Sequence, residues 1–201
     1  MPKVVREYKA QARERIIDAA VAVVRRDGLG GGTMDAIAKE LGVSKAALYL
    51  YFPSKTAVLA AIMDRFREEM IGRLEHSVAK GDVAEAIADT IDRAFSGEFS
   101  PTVWHQLFAD AGSDPEVREA LRTDHRRDSE HMEAFLRRLE DQGRIPHLTD
   151  PEATADAVLM LLSGTFVYLS LRDDPADRRR RLVRSLRVVL GMPVRTRSRP
   201  R

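Results

Sequence analysis

The sequence predicts an all-α protein of about nine helices, with a small three-helix domain at the N-terminus and a larger helical domain after it. Apolar residues recur at three- and four-residue spacing along most of the chain, which is the helical period. No segment alternates convincingly as a strand would. Four helix starts also repeat one device, in which a capping side chain precedes a proline whose fixed φ suits the first helical position. These starts are Ser100-Pro101, Asp114-Pro115, Asp150-Pro151 and Asp174-Pro175.

Composition excludes several classes of protein. The 201 residues are 44% hydrophobic and 32% charged, and they include no cysteine. Disulfides, thiol catalysis and cysteine-based zinc sites are therefore excluded. The N-terminus does not resemble a signal peptide, and the longest apolar run, Ala157–Leu171, is shorter than the ~20 residues that cross a bilayer. We expect a cytoplasmic protein.

Charge is distributed unevenly along the chain. Residues 1–57 carry ten Lys/Arg against six acids, and residues 178–201 carry ten Arg and no acid, although the net charge is only +2. Basic ends around an acidic centre indicate a polyanionic partner at the ends; solvated faces are the alternative. The segment 193–201 is too polar to fold and is predicted to be a disordered basic tail, with its role left open.

The first helix is predicted over Arg6–Arg26, because apolar residues from Ile16 to Val24 recur on one face. Gly28 is expected to end it in a left-handed conformation. The glycine cluster of residues 28–32 does not indicate a nucleotide loop, since it follows a helix and lacks the Gly-Lys-Ser/Thr ending.

Residues 33–51 predict two short helices around a tight turn. Thr33 is a suitable N-cap for a helix over Met34–Leu41, Gly42 makes the turn with Val43 packed beneath it, and Ser44 caps a third helix that ends near Tyr51. Such a pair is the helix-turn-helix unit, whose second helix enters a DNA major groove.

The side chains of the third helix suit that task. Ala46 and Ala47 let the backbone approach base edges, and Lys45 reaches guanine acceptors or a phosphate. Tyr49 and Tyr51 supply hydroxyl groups for phosphate oxygens. The alternative is that both tyrosines are core aromatics.

A fourth helix is predicted to begin at Ser54, which caps it. Its first backbone N–H groups, together with Lys55, would make a phosphate site.

This stretch resembles the signature of the tetracycline-repressor (TetR) family of bacterial transcriptional regulators. The residues that carry the resemblance are Thr33, Ile37-Ala38, Gly42-Val43-Ser44, Leu48-Tyr49 and Tyr51-Phe52-Pro53-Ser54-Lys55. The resemblance implies a homodimeric DNA-binding protein, usually a repressor, that a small ligand releases from its operator. It implies a DNA-binding domain over 1–54 and a ligand-binding and dimerisation domain over 55–192. The DNA-contacting positions that it implies are Thr33, Ser44, Lys45, Ala46, Ala47, Tyr49, Tyr51 and Lys55.

The second domain is predicted to contain helices over 55–78, 82–95, 101–112, 115–141, 151–172 and 175–190. By the resemblance, aromatic and neighbouring side chains in it line a cavity for an apolar or aromatic ligand; ordinary core packing is the alternative. The candidate lining residues are Phe66, Phe95, Trp104, His105, Phe108, Met132, Phe135 and Phe166.

The last two helices predict a dimer interface. Residues 157–171 are apolar almost all round, so this helix must be buried on several sides, and the next helix carries a leucine and valine stripe. Two such helices meeting their copies would form a four-helix interface and imply a palindromic operator; closing a monomeric core is the alternative. The candidate interface residues are Leu161, Gly164, Tyr168, Leu182, Leu186 and Val189.

No catalytic constellation is present, and no cofactor is expected. His125 and His131 lie six residues apart, which places them on different faces of a helix and argues against a metal site. Three readings remain: a ligand-responsive repressor, a DNA-binding protein without an effector, and an all-α enzyme or carrier that has lost DNA binding.

Overall fold

The computed structural model describes residues 3–95, 101–169 and 174–194, with the side chains of 3–6, 95, 101, 102 and 166–169 left out, and this part is all-α with nine helices. The prediction of fold class is confirmed. The helices are α1 (Lys3–Gly31), α2 (Met34–Leu41), α3 (Lys45–Tyr49), α4 (Lys55–Lys80), α5 (Val83–Phe95), α6 (Pro101–Ser113), α7 (Pro115–Asp141), α8 (Pro151–Leu169) and α9 (Pro175–Val189). None of the described helices has the length and apolar composition that crossing a membrane would require.

The chain forms two compact units. The first unit comprises Met1–Glu68 and Gly97–Asp124, and the second comprises Glu69–Ser96 and His125–Arg201. The division does not follow the boundary expected at residues 54 and 55, because the first part of α4, all of α6 and the start of α7 pack with the N-terminal helices. The functional boundaries given above therefore remain a prediction.

The core of the first unit joins α1–α3 to α4 and α6. Ile37, Leu48 and Phe52 are each about 1% exposed at its centre. Arg13 of α1 closes one side, since its Nη1 donates to the Tyr51 carbonyl oxygen at 2.8 Å and its guanidinium lies 4.1 Å from the Phe52 ring centroid. The N-terminal helices are thus held by burial and by a cation–π contact at the end of α3.

In the second unit α9 packs against α5 and α8. Arg179 of α9 forms ion pairs with three carboxylates spaced along one face of α5: Glu85 at 2.7 Å, Asp89 at 2.6 Å and Asp92 at 3.0 Å. Arg187 of α9 pairs with Asp82, the residue directly before α5, at 2.7 Å. The acidic middle of the sequence and its basic end therefore meet inside this unit.

Helix α1 breaks at Gly28, whose positive φ (φ 75°, ψ 174°) is the one expected of the residue that ends the first helix, and helical turns resume beyond this kink as far as Gly31. Two local expectations need correction. Helix α3 ends at Tyr49, two residues earlier than expected. Val43 is 44% exposed rather than packed beneath the turn, because its N–H closes the preceding helix by bonding to the Ala38 carbonyl oxygen at 3.0 Å.

Gly42 and Gly72 form a matched pair for testing the turn. Gly42 has a φ of 68°, whereas Gly72 lies inside α4, and a Cβ at either position would meet no atom within 4 Å. Only the backbone conformation differs. We expect Gly42→Ala to lower the free energy of unfolding by about 1 kcal/mol and Gly72→Ala to raise it by about 0.5–1 kcal/mol, measured by urea denaturation. A change of the same sign in both variants would contradict this account.

Candidate nucleic-acid interface

Helix α2 and the turn after it have complete caps. The Thr33 Oγ1 accepts from the Ala36 N–H at 3.1 Å at the N-terminus. At the other end Gly42 adopts φ 68° and ψ 31°, and its N–H bonds to the Lys39 carbonyl oxygen at 3.2 Å. With the Val43–Ala38 bond this is the Schellman arrangement, which satisfies the last carbonyls of a helix. The turn therefore holds α2 and α3 at a defined angle.

Helix α3 is attached to the core by one side chain. The Ser44 Oγ accepts from the Ala47 N–H at 3.2 Å and begins the helix. Leu48 is 1% exposed, whereas Lys45 and Ala46 are exposed and Ala47 is half-buried. The capping hydroxyl groups of Thr33 and Ser44 accept through oxygen, so each can still donate its proton to a phosphate.

Lys45 is paired within its own helix-turn-helix unit. Its Nζ donates to the Asp35 Oδ2 at 2.7 Å, and this hydrogen bond raises the pKa of the Lys45 ammonium group. The two side chains are 47% and 70% exposed. Such an exposed pair is weak, and a phosphate can compete with Asp35 for the ammonium group.

The two candidate tyrosines lie in different environments. Tyr49 is 46% exposed at the end of α3. Tyr51 is partly buried and packs against the core of the first unit. The exposed Tyr49 fits the expectation of a phosphate contact better. The partly buried Tyr51 fits the alternative of a core aromatic better.

At the start of α4 Ser54 caps the helix as predicted, with its Oγ accepting from the Ala57 N–H at 3.1 Å. The remaining contacts there were not indicated by the sequence. The Ser54 hydroxyl also donates to the Glu116 Oε1 at 2.8 Å. The Lys55 Nζ donates to the Leu29 carbonyl oxygen at 2.8 Å. The N–H of Leu29 in turn donates to the Gln106 Oε1 of α6 at 3.0 Å. Lys55 is the first residue of α4, and its ammonium group already has a carbonyl partner within the protein.

Two family models together cover most of the chain. Residues 16–62 match the model described as bacterial regulatory proteins, tetR family, and residues 78–189 match the tetracyclin repressor-like C-terminal domain. The chain belongs to the TetR family. It is thus a TetR-family transcriptional regulator with a DNA-binding domain, and the family consists of regulators and not of enzymes.

Individual relatives agree with this assignment. The HTH-type transcriptional regulator BetI of Rhizobium meliloti (strain 1021) is 28% identical over 182 residues, which span 87% of this chain and 85% of that protein. YfiR of Bacillus subtilis (strain 168), also an HTH-type transcriptional regulator, is 30% identical over 96 residues, about half of each chain. A solved TetR-family structure from Rhodococcus sp. shares the fold, with a TM-score of 0.75 at 21% identity, over 90% of this chain and 99% of that one.

In this TetR-family chain, four of the candidate effector-pocket residues lie in the first unit. The Phe66 and Trp104 rings meet edge to face at 5.6 Å, and the Trp104 and Phe108 rings are 6.4 Å apart. Phe108 is 53% exposed. His105, on the same helix, is partly buried, and its buried Nε2 contacts no hydrogen-bonding partner among the described residues.

Phe66 and Trp104 also line a small cavity with a volume of about 10 Å³ between the end of α1, α4 and α6. Its remaining walls are Leu29, Leu59, Ile62, Met63, Val103 and Leu107. This volume accommodates about one water molecule, and the lining is apolar. His105 and Phe108 are not part of it.

The other candidate pocket residues divide into two groups. Phe135 is buried in the core of the second unit, and Met132 packs against that same core. The side chains of Phe95 and Phe166 lie outside the described residues. The predicted pocket as a whole stays a prediction.

The candidate dimer residues of this TetR-family chain are also divided. Leu182 and Leu186 are 6% and 0% exposed within a single chain, so they belong to its own core. Leu161, Gly164 and Val189 are half-buried, and the side chain of Tyr168 lies outside the described residues. Met160 on α8 and Val188 on α9 are not among the candidates, and they are 67% and 64% exposed. Both are apolar neighbours of the predicted positions, one residue away along each helix.

The described part of the chain contains no group of three or more histidines and carboxylates arranged to hold a metal ion.

Leu50 is a further residue that the candidate set omitted. It follows Tyr49 directly and is 83% exposed. Helical phase was the signal that pointed to it, because a residue two positions after the buried Leu48 lies on the opposite face.

The Lys45–Asp35 pair leads to a prediction. We expect Asp35→Asn to raise affinity for duplex DNA up to about fivefold at low salt, which corresponds to the ~1 kcal/mol upper limit for an exposed ion pair, because the ammonium group no longer has to leave a carboxylate. Glu133→Gln is the control, since it removes one negative charge in the second unit. Fluorescence anisotropy on both variants measures the effect. An equal gain in both would attribute it to net charge alone.

Proposed function

We propose that this regulator is a cytoplasmic homodimeric repressor that leaves a palindromic operator when a small apolar or aromatic ligand binds its C-terminal helices. The observation that carries the DNA half of the proposal is the placement of α3, with Leu48 buried and Lys45, Ala46 and Tyr49 facing outward. The family supports the ligand and dimer halves.

DNA contacts in this proposal are of two kinds. Ala46 and Ala47 lie against base edges, where small side chains permit close approach. Lys45, Tyr49, Thr33 and Ser44 bind phosphate oxygens, which positions α3 without reading sequence. Tyr51 and Lys55 contribute less than the sequence suggested, since one is partly buried and the other already bonds the Leu29 carbonyl oxygen at 2.8 Å.

A dimer is needed because α3 has only five residues and reads few base pairs. A twofold axis places two copies of α3 about one DNA turn apart, roughly 34–36 Å, or a multiple of it. We assign the interface to the outer faces of α8 and α9, where the exposed Met160 and Val188 lie beside Leu161, Gly164 and Val189. Leu182 and Leu186 support this face from the core.

A ligand that enters beside Trp104 must widen the protein there, because ligand sites are typically about 300–1,000 Å³ and this cavity has a volume of about 10 Å³. Leu59, Ile62 and Met63 of α4 form one wall of that cavity. A ligand that separates α4 from α6 therefore acts on the helix whose first turn carries Ser54 and Lys55. It shifts the protein towards a DNA-free state only by its difference in affinity for the two states.

A DNA-binding protein without an effector is the second candidate. A ligand-induced change at Trp104 separates the two candidates.

Binding to the DNA upstream of the protein's own gene tests the DNA half of the proposal. We expect one retarded complex that contains two protein chains, with log Kd rising linearly with log salt. Lys45→Ala should weaken this complex and should reduce the slope of log Kd against log salt by about the one unit that a single phosphate contact contributes. The control Lys80→Ala, at the far end of α4, should leave the affinity and the slope unchanged. A wild-type protein that shows no sequence preference at low salt would refute the proposal.

Trp104 provides a direct test of the ligand half, because it is the only tryptophan in the chain and lines the cavity. A compound that releases the operator should change the Trp104 emission over the same concentration range in which it releases DNA. Release without any change in emission would place the ligand elsewhere. If a broad panel of apolar and aromatic compounds produces neither effect, the candidate without an effector is favoured.

A further inference from the structure

The outermost ridge of α3 is apolar. Leu48 is 1% exposed and marks the face that points into the protein. Each residue turns the helix by about 100°, so Ala46 and Leu50, two residues before and after Leu48, lie on the opposite side and four residues from each other. Leu50 keeps this phase because its backbone is still helical, with φ −67° and ψ −21°.

Leu50 is the residue that this ridge projects furthest. Its exposed fraction of 83% is larger than that of any other large hydrophobic residue that the structure describes. A single exposed leucine is common on protein surfaces and needs no explanation by itself. Here the position is informative, because the exposed leucine extends from the face of the helix-turn-helix that points away from the core.

The surroundings of Leu50 specify what chemistry it meets. Lys45 and Tyr49 lie on one flank of the ridge, where an ammonium group and a phenol suit phosphate oxygens, and Ala46 leaves room for close approach. Between the two phosphate rows of the major groove, the edges of the bases are polar except for the 5-methyl group of thymine. An apolar side chain that projects beside these phosphate-binding groups, towards the base edges, therefore matches a thymine methyl.

We propose that Leu50 is a specificity-determining residue that packs on the 5-methyl group of one thymine in each operator half-site. The inference rests on the proposed function, since it requires α3 to enter the major groove. It specifies which base and which group of that base are recognised. Leu50 is assigned this contact because no other exposed side chain at α3 offers an apolar group of comparable length.

Replacing thymine by deoxyuridine removes only the methyl group and is the direct test. An operator is first selected by the wild-type full-length protein from a random duplex library. Each thymine of that operator is then changed to deoxyuridine in turn, and the affinity is measured by fluorescence anisotropy. We expect one position per half-site to weaken wild-type binding about fourfold, the factor equivalent to the ~0.8 kcal/mol of one buried carbon group.

Leu50 variants identify the side chain that reads the methyl group. Leu50→Ala should bind the thymine and deoxyuridine forms of that position equally, since nothing remains to contact the methyl group. Leu50→Met keeps an unbranched apolar chain of similar length and should retain the discrimination. Both should match the wild-type melting temperature, because the side chain is exposed. The remaining thymines of the operator are internal controls and should respond alike in all three proteins.

The outcomes distinguish this inference from the function on which it rests. A selected operator that binds tightly and loses nothing with deoxyuridine at any position overturns the role of Leu50 and leaves the regulator intact. The role of Leu50 is also overturned if Leu50→Ala loses affinity on deoxyuridine substitution at the same positions and by the same factors as the wild-type protein. Failure of the selection to yield any preferred sequence overturns the proposed function, and the inference with it.

Discussion

Burial of Leu48 is the constraint on which the DNA-binding surface depends. Helix α3 has five residues, too few to be stable alone, and Leu48 is the one residue of α3 that is buried in the core of the unit. Because Leu48 is 1% exposed among Ile37 and Phe52, the rotation of α3 about its axis has a single solution. Every statement about which side chains face outward follows from that rotation.

Three polar groups around this surface already have partners within the protein. Lys45 pairs with Asp35 at 2.7 Å, Ser54 donates to Glu116 at 2.8 Å, and Lys55 donates to the Leu29 carbonyl oxygen at 2.8 Å. A phosphate that binds one of these three groups must replace its existing partner, so the net gain for that contact is the difference between two interactions. Affinity that is modest for each contact is useful in a switch, since a small preference of a ligand for one state then suffices to reverse binding.

Local patterns predicted the fold well where the physical cause is local. Asp150 and Asp174 precede helices that begin at the prolines expected, and Gly42 adopts the left-handed conformation that its place after Leu41 required. Contacts between distant residues could not be predicted in this way. The bond from Lys55 to the Leu29 carbonyl oxygen spans 26 positions, and no periodicity encodes it. Leu182 and Leu186 show the same limit. An apolar stripe on a helix can pack against a partner chain or against the protein's own core, and the sequence pattern does not distinguish the two.

The peptide units around Leu29 connect three helices through a single residue. Its N–H is bound by Gln106 of α6, its carbonyl oxygen by Lys55 of α4, and its side chain is 3% exposed in the wall of the cavity. The Gln106 bond involves no formal charge, so high salt does not screen it. For the proposed repressor, we expect a genetic screen for mutants that no longer release DNA in response to ligand to recover changes at Gln106, a side chain of α6 that belongs neither to the proposed DNA contacts nor to the cavity wall.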